Sequence, residues 1–483
     1  MLAEKNDCIG CGACAAACPT QAIEMRRDES DFLYPAVITD KCISCGKCTK
    51  ICPILSPSAP RPPHNLAVFS GHYASPEKTL KSASGGFVSA LSEAVIHGEG
   101  VVYGVCYDTT FSRAIYRRAD RLSQLEAMKG SKYVMSELTL GTYAELEADL
   151  KTGQTVLFVG CPCEVYAVKN YFGERYDNLL TCELICQGGT SPRALRLFVR
   201  DLEEEYHSRV VSLNMRAKRN GSAVPFMSVE MLSGDTFFAP LETTDFDAVF
   251  RHVKRECCYD CHFKMPNDVA DFTAGDHIGM SNGDACFFES GVSIIFVHTS
   301  KGQEWIGRLR DFVLDEETFS RGAGIQTCLF HSIEKSLFYE RLVGDLQRGA
   351  LKGAAEAIQE MKRSILWEAV GQAREKLRNG RHRLLIWGVG KYFEITWEAV
   401  KACFEGDPVI GIVDKYKTGE RHGVPIVKPE ELSRLSFDYV FISSVGAQQE
   451  ATQLLADLFG KERCREHYTM VMLPSDLKHN NNE

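Results

Sequence analysis

The chain of 483 residues contains no stretch of eighteen consecutive apolar residues, so no membrane-spanning helix is expected. Positive charge is also in short supply: 55 Lys and Arg stand against 64 Asp and Glu, a formal charge of −9. A face that follows a phosphate backbone needs the opposite balance, and no nucleic-acid partner is expected. Met1–Asp7 lacks the apolar core of a secretory leader. The expected compartment is therefore the cytoplasm.

Cysteine, by contrast, is abundant. Of the 20 cysteines, eight fall between Cys8 and Cys52 and seven between Cys161 and Cys261. In a reducing compartment such clusters read as metal ligands rather than disulfides. Cys106, Cys286, Cys328, Cys403 and Cys464 are scattered and read as core thiols.

The first group is a doubled run. Cys8-x2-Cys11-x2-Cys14-x3-Cys18-Pro19 is followed by Cys42-x2-Cys45-x2-Cys48-x3-Cys52-Pro53. This is the spacing of bacterial ferredoxins with two 4Fe–4S clusters, in which the fourth cysteine of each run ligates the other cluster. Three thiolates two residues apart wrap one face of a cubane, and a short helix carries the fourth across. Cys8, Cys11, Cys14 and Cys52 are thus assigned to one cluster, and Cys42, Cys45, Cys48 and Cys18 to the other. Zinc also takes four thiolates, but it has no need of the doubled run or of two Cys-Pro endings.

Five prolines between Pro53 and Pro63 then mark a stiff linker. Beyond it the texture is α/β. Phe87–His97, Tyr143–Leu150 and Pro192–Glu205 have helical spacing, while Val101–Tyr107, Thr155–Val159 and Ser293–His298 read as strands. Residues 335–380 look helical and charged. A second alternation starts with strand Leu384–Trp387 and continues through a helix to Phe404, then strands Val409–Val413 and Tyr439–Ser443. The expected fold is multidomain, α+β and α/β. It comprises a ferredoxin-type module at 1–55, the linker at 56–65, a central α/β domain at 66–335, a helical connector at 336–380 and a small α/β domain at 381–475.

Several central segments carry a resemblance. They are Ser82-Ala-Ser-Gly-Gly-Phe-Val-Ser-Ala-Leu91, Gly130-Ser-Lys-Tyr-Val134, Gly160-Cys-Pro-Cys163, Cys186-Gln-Gly-Gly189, Met215-Arg-Ala-Lys218, Cys258-x2-Cys261 and Ala270-Asp-Phe-Thr-Ala-Gly-Asp276. Their order, behind a double-cluster module, resembles the beta subunit family of the coenzyme F420 hydrogenases and dehydrogenases. That family is flavin- and iron–sulfur-dependent, and the resemblance implies a flavin, FAD rather than FMN, in the central domain. It also implies a third 4Fe–4S cluster, for which Cys163, Cys186, Cys258 and Cys261 are the candidates. Cys161, Cys182 and Cys257 compete with them, and a structural zinc or an unligated thiol cluster stays open.

For the flavin, Ser84-Gly85-Gly86 precedes a helix, where exposed N–H groups suit a phosphate; a plain N-cap and tight turn fits the same residues. Lys129, Ser131, Lys132 and Tyr133 offer cations, a hydroxyl and a ring beside it, or else a solvated loop. Arg216 and Lys218 suit an anionic ligand or a surface pair. Asp271 and Asp276 suit either substrate positioning or backbone turns. No catalytic acid or base is identified.

At the C-terminal end, Gly388-x-Gly390 after a strand has the start of a dinucleotide fingerprint, but Phe393 replaces the third glycine and Asp414 stands where a ribose-binding acid would. The segment resembles the small Rossmann-like domain of sugar-modifying proteins. A nucleotide-sugar site and a degenerate docking domain both fit. The expected function is an iron–sulfur flavoprotein oxidoreductase. It would pass electrons from ferredoxin or a similar donor through the clusters to the flavin and on to a small organic substrate, a deazaflavin or a saccharide-pathway intermediate. A non-catalytic subunit that reduces a partner enzyme is the alternative.

Overall fold

Every residue of strand Val156–Gly160 is buried, because apolar layers cover both faces of the sheet around it. Val102, Leu157 and Leu180 point into one layer, with Phe87, Leu91 and Val95. Their neighbours Val101, Tyr103, Val156 and Phe158 point into the other, with Tyr143, Leu146, Val165 and Val168. This is the two-residue alternation of strands serving two layers at once.

The computed structural model describes residues 2–57, 66–219, 225–265, 269–278, 280, 284, 286, 288–324, 326–377, 380–390, 392–443, 448–460 and 468–470. The proline run from 58 to 65 and Cys464 lie outside them. Two compact units emerge, Met1–Ala355 and Glu356–Glu483.

In the first unit, nine strands form one mixed sheet in the order Phe312–Glu316, Ala67–Tyr73, Ser293–Val297, Phe272–Asp276, Leu179–Leu184, Val156–Gly160, Val101–Tyr107, Ala114–Ala119 and Ser136–Glu137. The four strands from Phe272–Asp276 to Val101–Tyr107 are mutually parallel. Antiparallel pairs flank them on both sides. A separate antiparallel sheet joins Val210–Ala217, Phe226–Met231 and Thr236–Pro240. The helices expected from apolar spacing form at Phe87–His97, Leu140–Lys151 and Pro192–Tyr206.

The cysteine-rich segment adds a hairpin, Ile23–Arg27 with Leu33–Val37, and two short helices, Ala13–Ala16 and Lys47–Ile51. Gly12 and Gly46, at equivalent places in the two cysteine runs, cap those helices with φ of 70° and 72°, a conformation glycine adopts without strain. The segment belongs to the same compact unit as the large sheet. Ala13 lies in the core layer of Tyr143 and Phe158, with Cys11, Ala16 and Ile51 packed against it. Polar contacts fasten the seam: Tyr143 donates to the Cys11 carbonyl at 3.1 Å, Asn170 to that of Ile51 at 2.9 Å and Ser191 to that of Ser30 at 2.6 Å.

The segment read as a connector holds helices Tyr339–Gln347 and Ala354–Lys376. In the second unit, strands run in the order Glu420–Arg421, Val424–Val427, Val409–Val413, Leu384–Trp387, Tyr439–Ile442 and Tyr468–Met470. All pair in parallel except the two-residue edge strand Glu420–Arg421. Among the described residues no helix is long and apolar enough to cross a membrane.

Candidate iron–sulfur and cofactor sites

Cys8, Cys11, Cys14 and Cys52 line one cavity, together with Gly10, Gly12, Pro53 and Ile54. Burial pushes the thiols of Cys8, Cys11 and Cys14 up, Cys11 to about 12, and the proximity of Cys52 raises all three further. The fourth cysteine of the second run has therefore crossed to the first three, as the ferredoxin spacing requires. Cys42 and Cys45 are exposed, and Cys18 and Cys48 half-buried. The Cys18 sulfur accepts the Ala22 N–H at 3.2 Å. One candidate cluster site is thus enclosed and the other faces solvent.

A second convergence of thiols lies deeper in the same unit. Cys161 caps the helix Pro162–Phe172, and Glu164 reaches back to the Cys161 N–H at 2.8 Å. Proline in the first turn and an acid at the third helical position define that helix start, which sets Cys163 in the first turn. Cys186 opens a glycine turn whose Gly188 N–H points at its own sulfur, 3.2 Å away. The next N–H, of Gly189, points at the Cys258 sulfur at 3.4 Å. Cys261 is held by its N–H on the Ser332 hydroxyl at 2.7 Å. Cys163 feels the charges of Cys186, Cys261 and Cys258, although burial is the main reason its thiol is pushed far up. The four candidates thus share one locale.

Of the competitors only Cys182 separates, while Cys161 and Cys257 stay in the same locale. Cys182 is fully buried in the apolar layer of Leu157 and Phe272. Cys161 donates to Cys186, and Cys257 to Cys258, which holds the two acceptor thiols low. Among the described residues no three His, Cys, Asp or Glu side chains converge tightly enough for a single metal ion. The same holds of the eight N-terminal cysteines.

Residues 153–318 match the family described as the C terminus of the coenzyme F420 hydrogenase/dehydrogenase beta subunit. The resemblance read in the sequence holds over these residues, while the Ser82–Leu91 and Gly130–Val134 segments lie outside them. Residues 7–54 match a 4Fe–4S dicluster domain, and residues 380–463 a family described as C2185-like, N-terminal. No curated protein matches the chain. Among solved structures, one from the F420-reducing [NiFe] hydrogenase complex of Methanosarcina barkeri, studied by xenon derivatization, is 18% identical. The alignment covers 61% of this chain and 92% of that one, at a TM-score of 0.36, too low to carry an argument. The chain is accordingly an iron–sulfur protein with electron-transfer chemistry, and its beta-subunit domain is of a family associated with hydrogenase and dehydrogenase activity.

In the first unit, three cations crowd around the loops expected to meet a flavin. Lys218 Nζ donates to the carbonyls of Ser84 at 2.5 Å and Thr79 at 2.9 Å. Lys132 Nζ donates to those of Lys129, Gly130 and Met128. Burial pulls both ammonium groups down to about 8. Arg216 pairs with Asp276 at 2.5 Å and reaches Tyr133. Ser84 donates to the Val292 carbonyl at 2.9 Å, and Tyr133 packs on Phe250 with ring centroids 4.5 Å apart. Lys129 is paired with Glu126, and Ser131 is half-buried beside them. Asp271 is structural: it accepts from the Thr181 N–H and hydroxyl, both at 2.9 Å, and from Thr299 at 2.6 Å.

The two loop glycines have packing reasons to be glycine. A Cβ on Gly85 would collide with the Gly71 carbonyl and come within 2.6 Å of the Ser293 nitrogen. Gly86 has φ of +99°, and a Cβ there would lie 2.5 Å from the Tyr73 ring. Gly85→Val is therefore expected to lose about 3 kcal/mol or more of stability, since backbone atoms cannot yield as side chains do. A urea melt of the variant indistinguishable from the native one would contradict this.

Sequence reasoning missed the two lysines around the thiols, Lys254 buried and Lys264 half-buried. Lys264 Nζ donates to the carbonyls of Cys186 at 2.8 Å and Cys328 at 2.6 Å. Lys254 Nζ donates to Thr190 at 3.1 Å and sits 3.8 Å from the Phe250 ring centre. Burial pulls Lys254 down to about 8, against the opposing pull of Cys186 and Cys258. The basic pair Lys254-Arg255 immediately upstream of Cys257-Cys258 was the available signal.

In the second unit, the Asp414 carboxylate accepts the N–H groups of Val389, Tyr416 and Lys417 at 3.0, 2.9 and 2.9 Å. It ties the glycine turn to the neighbouring strand.

Proposed function

We propose that the protein takes single electrons from a low-potential protein donor such as ferredoxin and relays them inward through its two N-terminal clusters and a third cluster held by Cys163, Cys186, Cys258 and Cys261. They would pass to a flavin, FAD, in the beta-subunit domain, and on to an organic substrate of the deazaflavin or saccharide-pathway kind. One observation carries the relay. Ile9, Cys11 and Ile54 beside the enclosed cavity share a single apolar cluster with Cys163, Cys258 and Cys261. Packed side chains rather than solvent lie between the two sites.

At the outer end, Cys42 and Cys45 are exposed with Ile43 between them, and Lys41, Lys47 and Lys50 are exposed on the same short stretch. A basic, partly apolar rim favours a small acidic electron carrier, because opposite charge speeds encounter. At the inner end, Lys132, Arg216 and Lys218 suit the pyrophosphate of FAD. Bound there, a flavin would collect single electrons and deliver pairs. So many reduced thiols favour the cytoplasm. The parallel strand order of the second unit, third-second-first-fourth-fifth, supports a Rossmann-like reading of that unit; there the Asp414 bonds favour a docking role.

Anaerobically purified full-length protein should release flavin on denaturation. Reduced ferredoxin should reduce that flavin in the native protein and fail to do so in Cys45→Ala, while dithionite reduces it in both. Absence of flavin after reconstitution with FAD, or equal ferredoxin-driven rates in both proteins, would sink the proposal.

A further inference from the structure

Arg255 is 1% exposed, and among the described residues it makes no ion pair with a carboxylate. Its Nε donates to the Cys8 carbonyl at 2.7 Å and a terminal nitrogen donates to the Leu33 carbonyl at 2.8 Å. The guanidinium lies 4.1 Å from the Tyr34 ring centre and 5.4 Å from that of Phe32. Its backbone N–H is fixed on the Gly189 carbonyl at 2.9 Å, inside the turn that serves Cys186 and Cys258. Gly10 makes room: a Cβ there would stand 2.8 Å from the guanidinium. One side chain of the beta-subunit domain is thus packed against the Cys8–Gly10 wall of the enclosed cysteine site.

A buried cation whose neighbours are carbonyls, rings and the Cys8 thiol is costly unless an anion completes its shell. A 4Fe–4S cluster on four thiolates is such an anion, and it becomes one unit more negative on reduction. The exposed site faces water instead.

We propose that Arg255 is a positioning residue that sets the potential of the enclosed cluster above that of the exposed one, so that an electron arriving at the surface moves inward. The inference rests on the iron–sulfur reading, and only on its two N-terminal clusters. The transfer at issue is one electron from one cluster to the other, with no bond made or broken and no proton moved. The backbone contacts hold the module in register, while the charge discriminates the two redox states.

The test uses full-length anaerobic protein, with the two N-terminal cluster signals followed by EPR during a reductive titration with dithionite and the exposed one assigned through Cys45→Ser. Arg255→Gln should disfavour reduction of the enclosed cluster at least about tenfold, which is about 59 mV for one electron. The exposed cluster should be unmoved, and Arg255→Lys should restore most of the shift. An unchanged potential in Arg255→Gln, an equal shift of both signals, or a Lys variant as displaced as the Gln variant would each overturn the proposal. Should Arg255→Gln lose the enclosed cluster, Arg255→Lys decides. Iron retained at native potential supports the role of charge, and iron lost there too leaves only a structural clamp. Fewer than about eight irons in the unaltered protein would defeat the iron–sulfur reading itself, before any variant is compared.

Discussion

Replacing Cys52 by Ala should strip the enclosed cluster, with its about four irons, and leave the exposed one intact. Cys18→Ala should do the reverse. Cys52 lines the cavity with Cys8, Cys11 and Cys14, although it sits in the second cysteine run. Cys18 sits in the first run, yet its sulfur is turned to the Ala22 N–H, outside that cavity. The two variants should also differ in stability. Without its cluster, the enclosed site keeps the buried Cys8 thiol, the half-buried Cys11 and Cys14 thiols and the Arg255 guanidinium with no anion to complete its shell, and this site lies in the seam with the Tyr143 layer. Cys52→Ala should therefore lower the melting temperature by several degrees, on the order of 1–3 kcal/mol for an unpaired buried charge. Cys18→Ala, at an open site, should shift it little. Iron counting, EPR with a soluble relaxing agent that reaches the exposed cluster, and thermal melts under argon decide. Loss of the exposed signal in Cys52→Ala would reverse the assignment.

Cys258→Ala should lower the iron content by a further about four atoms while both N-terminal signals persist. The Cys258 sulfur is tied to the Gly189 N–H, and its locale holds Lys254, 3% exposed, and Lys264. With the anionic cluster gone, Lys254 would be a buried ammonium hydrogen-bonded to the neutral Thr190 hydroxyl, so the variant should melt earlier than the native protein. Adding Lys254→Met should recover part of the loss, because the second change removes the charge that the first one stranded. Strict additivity of the two changes would mean the lysine does not serve the cluster. Unchanged iron in Cys258→Ala would remove the third cluster from the relay, and stoichiometric zinc in the native protein would give the site to that metal.

Much of the molecule was legible because its signals are local. Cysteine spacing is a local constraint: reach along a few residues decides which thiolates can wrap one cubane, so the doubled run was readable and the dicluster match at residues 7–54 agrees. Strands such as Val156–Gly160 and Leu384–Trp387 announce themselves as short apolar runs, since burial on both faces leaves no polar position. Short motifs in order sufficed for the family, which matches residues 153–318.

What only the tertiary structure decided is which distant groups share an environment. The prolines marked a stiff linker after the cysteine segment, and only the structure shows that segment built into the unit of the large sheet through Ala13, Cys11 and Ile51. Gly85 and Gly86 read as a phosphate loop or a tight turn in sequence, and only the structure shows that the Gly71 carbonyl and the Tyr73 ring leave no room for their side chains. Asp271 and Asp276 look alike along the chain, yet one is locked to Thr181 and Thr299 and the other pairs with Arg216. Arg255 follows Lys254 in sequence, and folding buries both, one against Cys8 and the other beside Cys186 and Cys258. Spacing along the chain fixes which ligands can reach one cluster. Burial and counter-charge, which set how readily that cluster accepts an electron, come from residues hundreds of positions apart and exist only once the sheet has formed.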